Sequence, residues 1–295
     1  MDPMELHERA RTLPIVWEGK PPRQRVGLAL GGGAARGLAH IGVLEVLEEE
    51  KIPIDCIAGT SAGAIAGGLY AAGFTPAQMR KEAQKLNWLE IASFGIPKMG
   101  LLNFDKAAQW IEELLVDRPS TFEELAIPFV AVAADIVSGE LIAIHTGKLS
   151  AALRASSSVP GIFTPTRLGD RMLVDGGTLN NLPVSVARRL GADYMIAVDL
   201  LPPGTVGGKE PGNVMELTVT ALYMLMRSTH NEGAEADRVI MPAIGHFSLF
   251  DLGHKEELIE AGRVAAQQAI PQIKRDLGFP KDLTLAPVRD TLGTD

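Results

Sequence analysis

Apolar and polar positions recur along this chain in two rhythms. Residues 25–30, "RVGLAL", form a short apolar run closed by glycine, the pattern of a buried strand. In the following "LAHIGVLEVLEEEK", Leu38, Ile41, Val43, Leu44 and Leu47 return at helical spacing, with acids gathered at the end. A second apolar run, "IPIDCIAG", and a second helical stretch, "AGAIAGGLYAAG", come directly after. Strand, helix, strand, helix in such close succession predicts a parallel sheet joined by crossover helices. Further strands are expected at 127–136, in "GELIAIHT", in "RMLVDGG" and in "YMIAVDL". Helices are expected in "DKAAQWIEELLVD", "VSVARRLG" and "ELTVTALYMLMRSTHNEGAEADR". The last is strongly apolar from Val214 to Met226, which suits either a buried core helix or a face that meets a second copy or lipid.

The rhythm fails at both ends and in one internal stretch. Residues 1–24 carry charge throughout and run into the Pro-rich, basic "GKPPRQR", which predicts an N-terminal arm and linker without the apolar core of a secretory signal. Residues 276–295 read as a loosely attached tail, leaving 25–275 as one domain. Between 86 and 104, Trp88, Ile91, Phe94, Met99, Leu101 and Leu102 are mixed with Gly and Pro. That stretch is too apolar for a plain surface loop and too broken for one helix, so it either packs in the core or caps a site.

Composition narrows the function classes. The 295 residues are 46% hydrophobic and 22% charged, enough for a sizeable core. A net charge of −8 and a pI of about 5.4 have the wrong sign for wrapping nucleic acid. They also give no attraction to anionic lipid, so membrane contact is expected to be at most peripheral, local and apolar. The single cysteine, Cys56, excludes an intrachain disulfide and a thiolate metal cluster, and inside a predicted strand it reads as a small buried hydrophobe. No stretch reaches the roughly 20 apolar residues of a membrane span, and a cytoplasmic location is expected.

Three short motifs carry the chemistry. Gly31-Gly32-Gly33 falls between the first strand and the first helix, where backbone N–H groups and the helix dipole favour an anion. A phosphate loop would need Gly-Lys-Ser/Thr after it, and a dinucleotide fingerprint would need glycine where Arg36 stands, so nucleotide binding is the weaker reading. Gly59-Thr60-Ser61-Ala62-Gly63 spells G-x-S-x-G between a strand and a helix, the turn that presents a serine Oγ at the carboxyl edge of a sheet. A side chain at Gly59 or Gly63 would clash across so sharp a turn. Asp175-Gly176-Gly177 follows the apolar "MLV" at the end of another strand, on the same sheet edge. A nucleophilic serine needs a base. His230, His246 and His254 stand late enough for a Ser-Asp-His order, but they sit at a helix end or in what read as surface turns, and His40 fits a packed core histidine.

Taken in order, "GGGAARG", "GTSAG" and "DGG", with "ASSSVPGIFTP" before the aspartate and "NNLPV" after it, make the chain resemble the patatin-like phospholipases, particularly their bacterial members. The resemblance runs from about residue 25 to 200 and more loosely to about 270. It implies a three-layer α/β/α fold with a mostly parallel central sheet and a serine acyl-ester hydrolase that works without histidine. Ser61 would be the nucleophile, Asp175 its general base, and the Gly32 and Gly33 amides the oxyanion hole. Gly31, Arg36 and Gly37 would shape that loop, and Gly59, Gly63, Gly176 and Gly177 the other two turns. The chemistry is coherent: the anion favoured by the first turn would be a tetrahedral oxyanion, and partial burial would raise the aspartate above its usual pKa of about 3.9. The resemblance implies no cofactor or metal. The partner would be an acyl-ester or phospholipid substrate and no nucleic acid, with room for a homo-oligomer. On this reading the 86–104 stretch lines an acyl chain, and Arg36 either holds the glycine loop or attracts a phosphate head group. The alternative is a catalytically idle member acting as a regulatory binding protein, against which stand the intact Ser61, Asp175 and glycine loop.

Overall fold

The computed structural model describes residues 23–87, 93–94, 100–103, 105–201, 210–229 and 232–279. Strand β1 (Val26–Leu30) leads through a 3-10 turn (Ala34–Leu38) into helix α1 (Ala39–Glu49), and β2 (Cys56–Thr60) leads into α2 (Ala62–Ala71). Helix α3 (Pro76–Lys85), short strands β3 (Ser93–Phe94) and β4 (Gly100–Asn103), and helix α4 (Asp105–Leu114) follow. Next come β5 (Phe129–Asp135), β6 (Leu141–Ile144), α5 (Leu149–Ser156), β7 (Gly161–Phe163), β8 (Thr166–Leu168) and β9 (Arg171–Asp175). The described chain then forms α6 (Val184–Arg189), β10 (Tyr194–Val198), α7 (Val214–Thr229), β11 (Arg238–Ile240) and α8 (Lys255–Asp276).

The main sheet runs β11-β10-β1-β2-β5-β9-β8, with β6 also on β5; the first five strands are mutually parallel. Strands β6, β9 and β8 add on antiparallel. Pairing of Leu30 with both Gly59 and Val198 makes β1, β2 and β10 end level. The glycine turn after β1 and the serine turn after β2 therefore leave the sheet side by side. Pairing of Ala133 with Asp175 brings the Asp-Gly-Gly turn to the same neighbourhood, because β5 also pairs with β2.

Strand side chains alternate between two cores. Val26, Leu28, Leu30, Ile57, Phe129 and Ala131 face a layer that includes α1, α2 and α8. Ala29, Cys56, Ala58, Val130, Met195 and Ala197 face the short helix α6. The smaller residues on that side let a six-residue helix lie close to the sheet. Cys56 is one of them: its Sγ lies 3.7 Å from the Ala187 carbonyl, and burial pushes its thiol up to about 12, so it is inert packing. This is the expected three-layer α/β/α fold.

Three helices lie outside the sequence expectations. Helix α3 starts with a Thr75–Gln78 capping box and Pro76 in its first turn. Helix α5 carries the first part of the serine-rich stretch. Helix α8 begins within "GHKEEL", which reads as a surface turn in the sequence. Its inward stripe includes Gly262 and Ala266, which dilutes the apolar signal. The reason is close packing: a Cβ on Gly262 would lie 2.0 Å from the Ala39 carbonyl oxygen, and one on Gly42 would lie 1.9 Å from that of Ile259. Helices α1 and α8 touch backbone to backbone.

Helix α7 is apolar on two sides. Val219, Tyr223 and Met226 are buried, while Val214, Leu217, Met224 and Leu225 are exposed. It is thus neither wholly a core helix nor wholly a surface one. Among the described residues no helix is long and apolar enough to cross a membrane.

Candidate active site

Ser61 sits at the tip of the β2–α2 turn with φ 55° and ψ −123°, a conformation strained for any residue with a side chain. Three contacts hold it there. Its N–H donates to Ser156 Oγ at 2.9 Å, and Ser156 in turn donates to the Val132 carbonyl at 2.5 Å. The Thr60 hydroxyl donates to the Asn180 carbonyl at 2.9 Å. Gly63 completes the turn, since a Cβ there would stand 2.1 Å from the Leu30 carbonyl oxygen. A Cβ on Gly59 would stand 2.5 Å from the Gly63 oxygen, so both glycines of the motif are required by space.

Asp175 ends β9 and is 1% exposed. Its Oδ1 accepts the Gly177 N–H at 2.8 Å, while Oδ2 is buried without a hydrogen bond of full geometry. The Ser61 hydroxyl is a hydrogen-bonding neighbour of this carboxyl. Burial raises Asp175 to about 6, and the Ser61 and Gly177 donors offset part of that rise. The Asp-Gly-Gly turn is pressed onto β5: a Cβ on Gly176 would be 2.2 Å from the Val132 oxygen.

The glycine loop is held from several directions. Gly31 N–H donates to the Val198 carbonyl at 3.0 Å. Gly32 is clamped at both ends by Asn181, whose carbonyl accepts the Gly32 N–H at 3.1 Å and whose Nδ2 donates to the Gly32 oxygen at 3.2 Å. Gly33 N–H makes no hydrogen bond among the described residues. Ala34 lies at φ 50°, a left-handed conformation unusual outside glycine. His40 is fully buried and burial lowers it to about 4, so the neutral ring donates from Nε2 to the Gly31 carbonyl at 2.8 Å. Gly37 lets the turn press on α2, since a Cβ there would be 2.4 Å from the Ala62 Cβ.

Arg36 is fully buried. Its guanidinium donates to the Phe247 carbonyl at 2.7 Å and to that of Gly245 at 3.1 Å. These contacts tie the 3-10 turn after the glycine loop to the 245–247 segment. Burial brings it down to about 10, and it remains charged at neutral pH.

Ser61 opens onto a cleft of about 950 Å³ including its mouth. Leu38, Ile41, Ile65, Leu69, Met79 and Trp110 give it apolar walls, while Ser157 and Tyr223 add hydroxyls. These wall residues come from the 3-10 turn and helices α1 to α4, and Leu86, the first residue of the 86–104 stretch, joins them. Trp88, Ile91 and Met99 lie outside the described residues; Phe94, Leu101 and Leu102 fall in β3 and β4, whose side chains are likewise outside them. Among the described residues no histidine lines the cleft. His254 pairs instead with Asp251 at 2.8 Å, the His246 ring lies tilted against Phe247, and His230 lies outside the described residues.

Tyr223, Ser156 and Asn181 are site residues that sequence reasoning missed. Ser156 and Asn181 lie within stretches that carry the family resemblance, so their neighbourhood was signalled. Tyr223 had no signal beyond its place in an apolar helix.

A family model of patatin-like phospholipases matches residues 28–188, which contain Ser61, Asp175 and the glycine loop. The uncharacterized NTE family protein Rv1063c of Mycobacterium tuberculosis is 38% identical over 209 residues, 70% of this chain and 56% of that protein. Lysophospholipase NTE1 of Meyerozyma guilliermondii is 32% identical over 209 residues, 69% of this chain and 14% of that protein. The chain thus matches about half of the former and a small part of the latter. The crystal structure of VipD from Legionella pneumophila superposes with a TM-score of 0.51 at 14% identity, over 85% of this chain and 67% of that one, a likeness of fold. The motifs, their order on one sheet edge and the match over more than half the sequence lead to one conclusion: the chain belongs to the patatin-like phospholipase family.

Proposed function

We propose that this protein hydrolyses carboxylic esters of lipids through a Ser61–Asp175 dyad and an acyl-enzyme. The observation that carries the reading is a strained serine beside a buried, raised-pKa carboxyl, opening on an apolar cleft. In the first step the Ser61 proton passes to Asp175 Oδ2 as Oγ bonds to the acyl carbon, and the carbonyl electron pair moves onto its oxygen. Gly33 N–H is the loop donor assigned to that oxyanion, because Gly32 N–H is already given to Asn181. The N–H of Ala62, first in α2, is the second donor the reading assigns, as the amide that follows the nucleophile. Collapse of the intermediate expels the alcohol, which takes the proton from Asp175. The same carboxylate then deprotonates water as its oxygen bonds to the acyl carbon, and the Oγ–acyl bond breaks as that proton passes to Ser61 Oγ, releasing the acid.

The lipid character rests on the apolar cleft and on the lysophospholipase named among the relatives. A fluorophosphonate probe should label Ser61 in the wild type and nothing in Ser61→Ala, as mapped by mass spectrometry. A folded protein that takes no label would favour the idle, regulatory reading. Because only ionised Asp175 accepts a proton, kcat/KM is expected to fall tenfold per unit below about pH 6. The cleft makes a separate prediction. Ala66→Leu narrows it on α2, and should lower kcat/KM for a sixteen-carbon acyl ester by about tenfold while changing a four-carbon ester less than about threefold.

A further inference from the structure

Tyr223 is unexplained by the dyad. It is 1% exposed on the inward face of α7, and it lines the cleft together with Ser61 and Ala34. Its place is set by its neighbours on the helix. Val219 and Met226, four residues before and three after, are buried on the same side. Met226 reaches the Asp-Gly-Gly turn, where its Sδ would stand 3.0 Å from a Cβ on Gly177. One helix face therefore meets Asp175's turn through Met226 and Ser61 through Tyr223. The phenol lies beside the Ala34 N–H and the Ser61 hydroxyl in the cleft that all three residues line, with the Asp175 carboxylate and the Arg36 guanidinium as its charged neighbours.

Proton counting gives these contacts a direction. An amide N–H only donates, so the phenol oxygen accepts from Ala34. Ser61 must donate its one proton to Asp175 for the carboxylate to act as base. The contact left between the two hydroxyls then runs from Tyr223 O–H to a lone pair of Ser61 Oγ. We propose that Tyr223 is a positioning residue for the nucleophile, its phenol anchored by the Ala34 N–H and donating to Ser61 Oγ so that the serine proton faces Asp175. Burial and the nearby Asp175 carboxylate push the phenol above its usual range, so it stays a neutral donor throughout the working pH. The inference rests on the Ser61–Asp175 reading above.

The test is Tyr223→Phe, which keeps the ring and removes only the hydroxyl. With a short soluble p-nitrophenyl ester, kcat should fall about tenfold with KM within about twofold, and the melting curve should stay close to wild type. A merely structural tyrosine would not move the acid limb of kcat/KM. Here the limb should shift to higher pH, because a serine proton no longer aimed at Asp175 stabilises its carboxylate less. 3-Fluorotyrosine at position 223 retains the fold and makes the phenol a stronger donor, so its limb should shift to lower pH. Unchanged kcat and limb in both variants would overturn the inference. So would faster turnover in Tyr223→Phe, which would make the phenol a plug on the Ala34 amide. An inactive wild type, or one with no label on Ser61, would fail the dyad itself, a different result from an active wild type indifferent to position 223.

Discussion

Asp175→Asn is expected to lower kcat by about 10³–10⁴-fold and, at the same time, to leave the protein at least as stable as the wild type. The loss follows because a carboxamide cannot take the Ser61 proton. The stability follows from burial. Asn is nearly isosteric, its oxygen can keep the Gly177 N–H at the place of Oδ1, and its NH₂ can donate to Ser61 Oγ. The wild-type carboxyl is raised to about 6 when folded, against about 3.9 unfolded. Its folded state therefore holds the proton more tightly, so its favourable contribution is complete below about pH 4 and is lost as pH rises through 6. At pH 8 the buried carboxylate costs on the order of 2–3 kcal/mol. The melting temperature of Asp175→Asn should thus exceed that of wild type by a few degrees at pH 8, with the gap closing towards pH 5. Thermal melts across that range, beside the kcat measurement, test both halves. An inert variant that also melts well below wild type would mean that Asp175 holds the fold and not the proton.

The second large effect is expected from Gly63→Ala. Local propensity argues for it, since alanine in a helix is favoured over glycine by up to about 1 kcal/mol. Tertiary contact argues against it more strongly. The new methyl would lie 2.1 Å from the Leu30 oxygen, 2.5 Å from its carbonyl carbon and 2.7 Å from the Gly31 oxygen, all backbone atoms of β1 and its turn. They cannot yield as a side-chain tip would, so α2 must lift away from β1. We expect a loss of about 1–3 kcal/mol and, because Ser61 and the glycine loop move apart, a fall in kcat/KM of at least about 10²-fold. Gly68→Ala on the same helix separates the two effects. Its methyl would meet Leu153 Cδ2 at 2.8 Å, the movable end of a side chain, so stability should change by less than about 1 kcal/mol with activity retained. Comparable losses in both variants would show that the elbow does not depend on the Gly63 approach.

The glycine contacts also explain which parts of the architecture were legible beforehand. Apolar runs ending in glycine marked β1 and β2 because those strands are buried on both faces and stop at the sheet edge. Helix α8 was illegible for the opposite reason. Its inward positions Gly262 and Ala266 are small because α1 lies against them at backbone distance, and small residues carry little hydrophobic signal. The described cleft walls were not legible because they are drawn from four helices, the 3-10 turn before α1 and Leu86, and no single one of these segments is apolar enough to announce them.

The sequence by itself determined the ordered motifs and, through them, the family, because a strand-turn-helix with G-x-S-x-G is a local object whose residues are neighbours in the chain. It also located the strands that bring those motifs to one edge. Only the tertiary structure decided what stands around them. Asn181 reaches Gly32 across 149 residues, Arg36 reaches Phe247 across 211, and Tyr223 meets Ser61 from a helix far along the chain. These contacts depend on strand register and helix packing, and no periodicity within a segment encodes which distant side chain will fill a given place. The raised Asp175 pKa belongs with them, since burial is a property of everything folded over the carboxyl and not of the three residues that spell its turn.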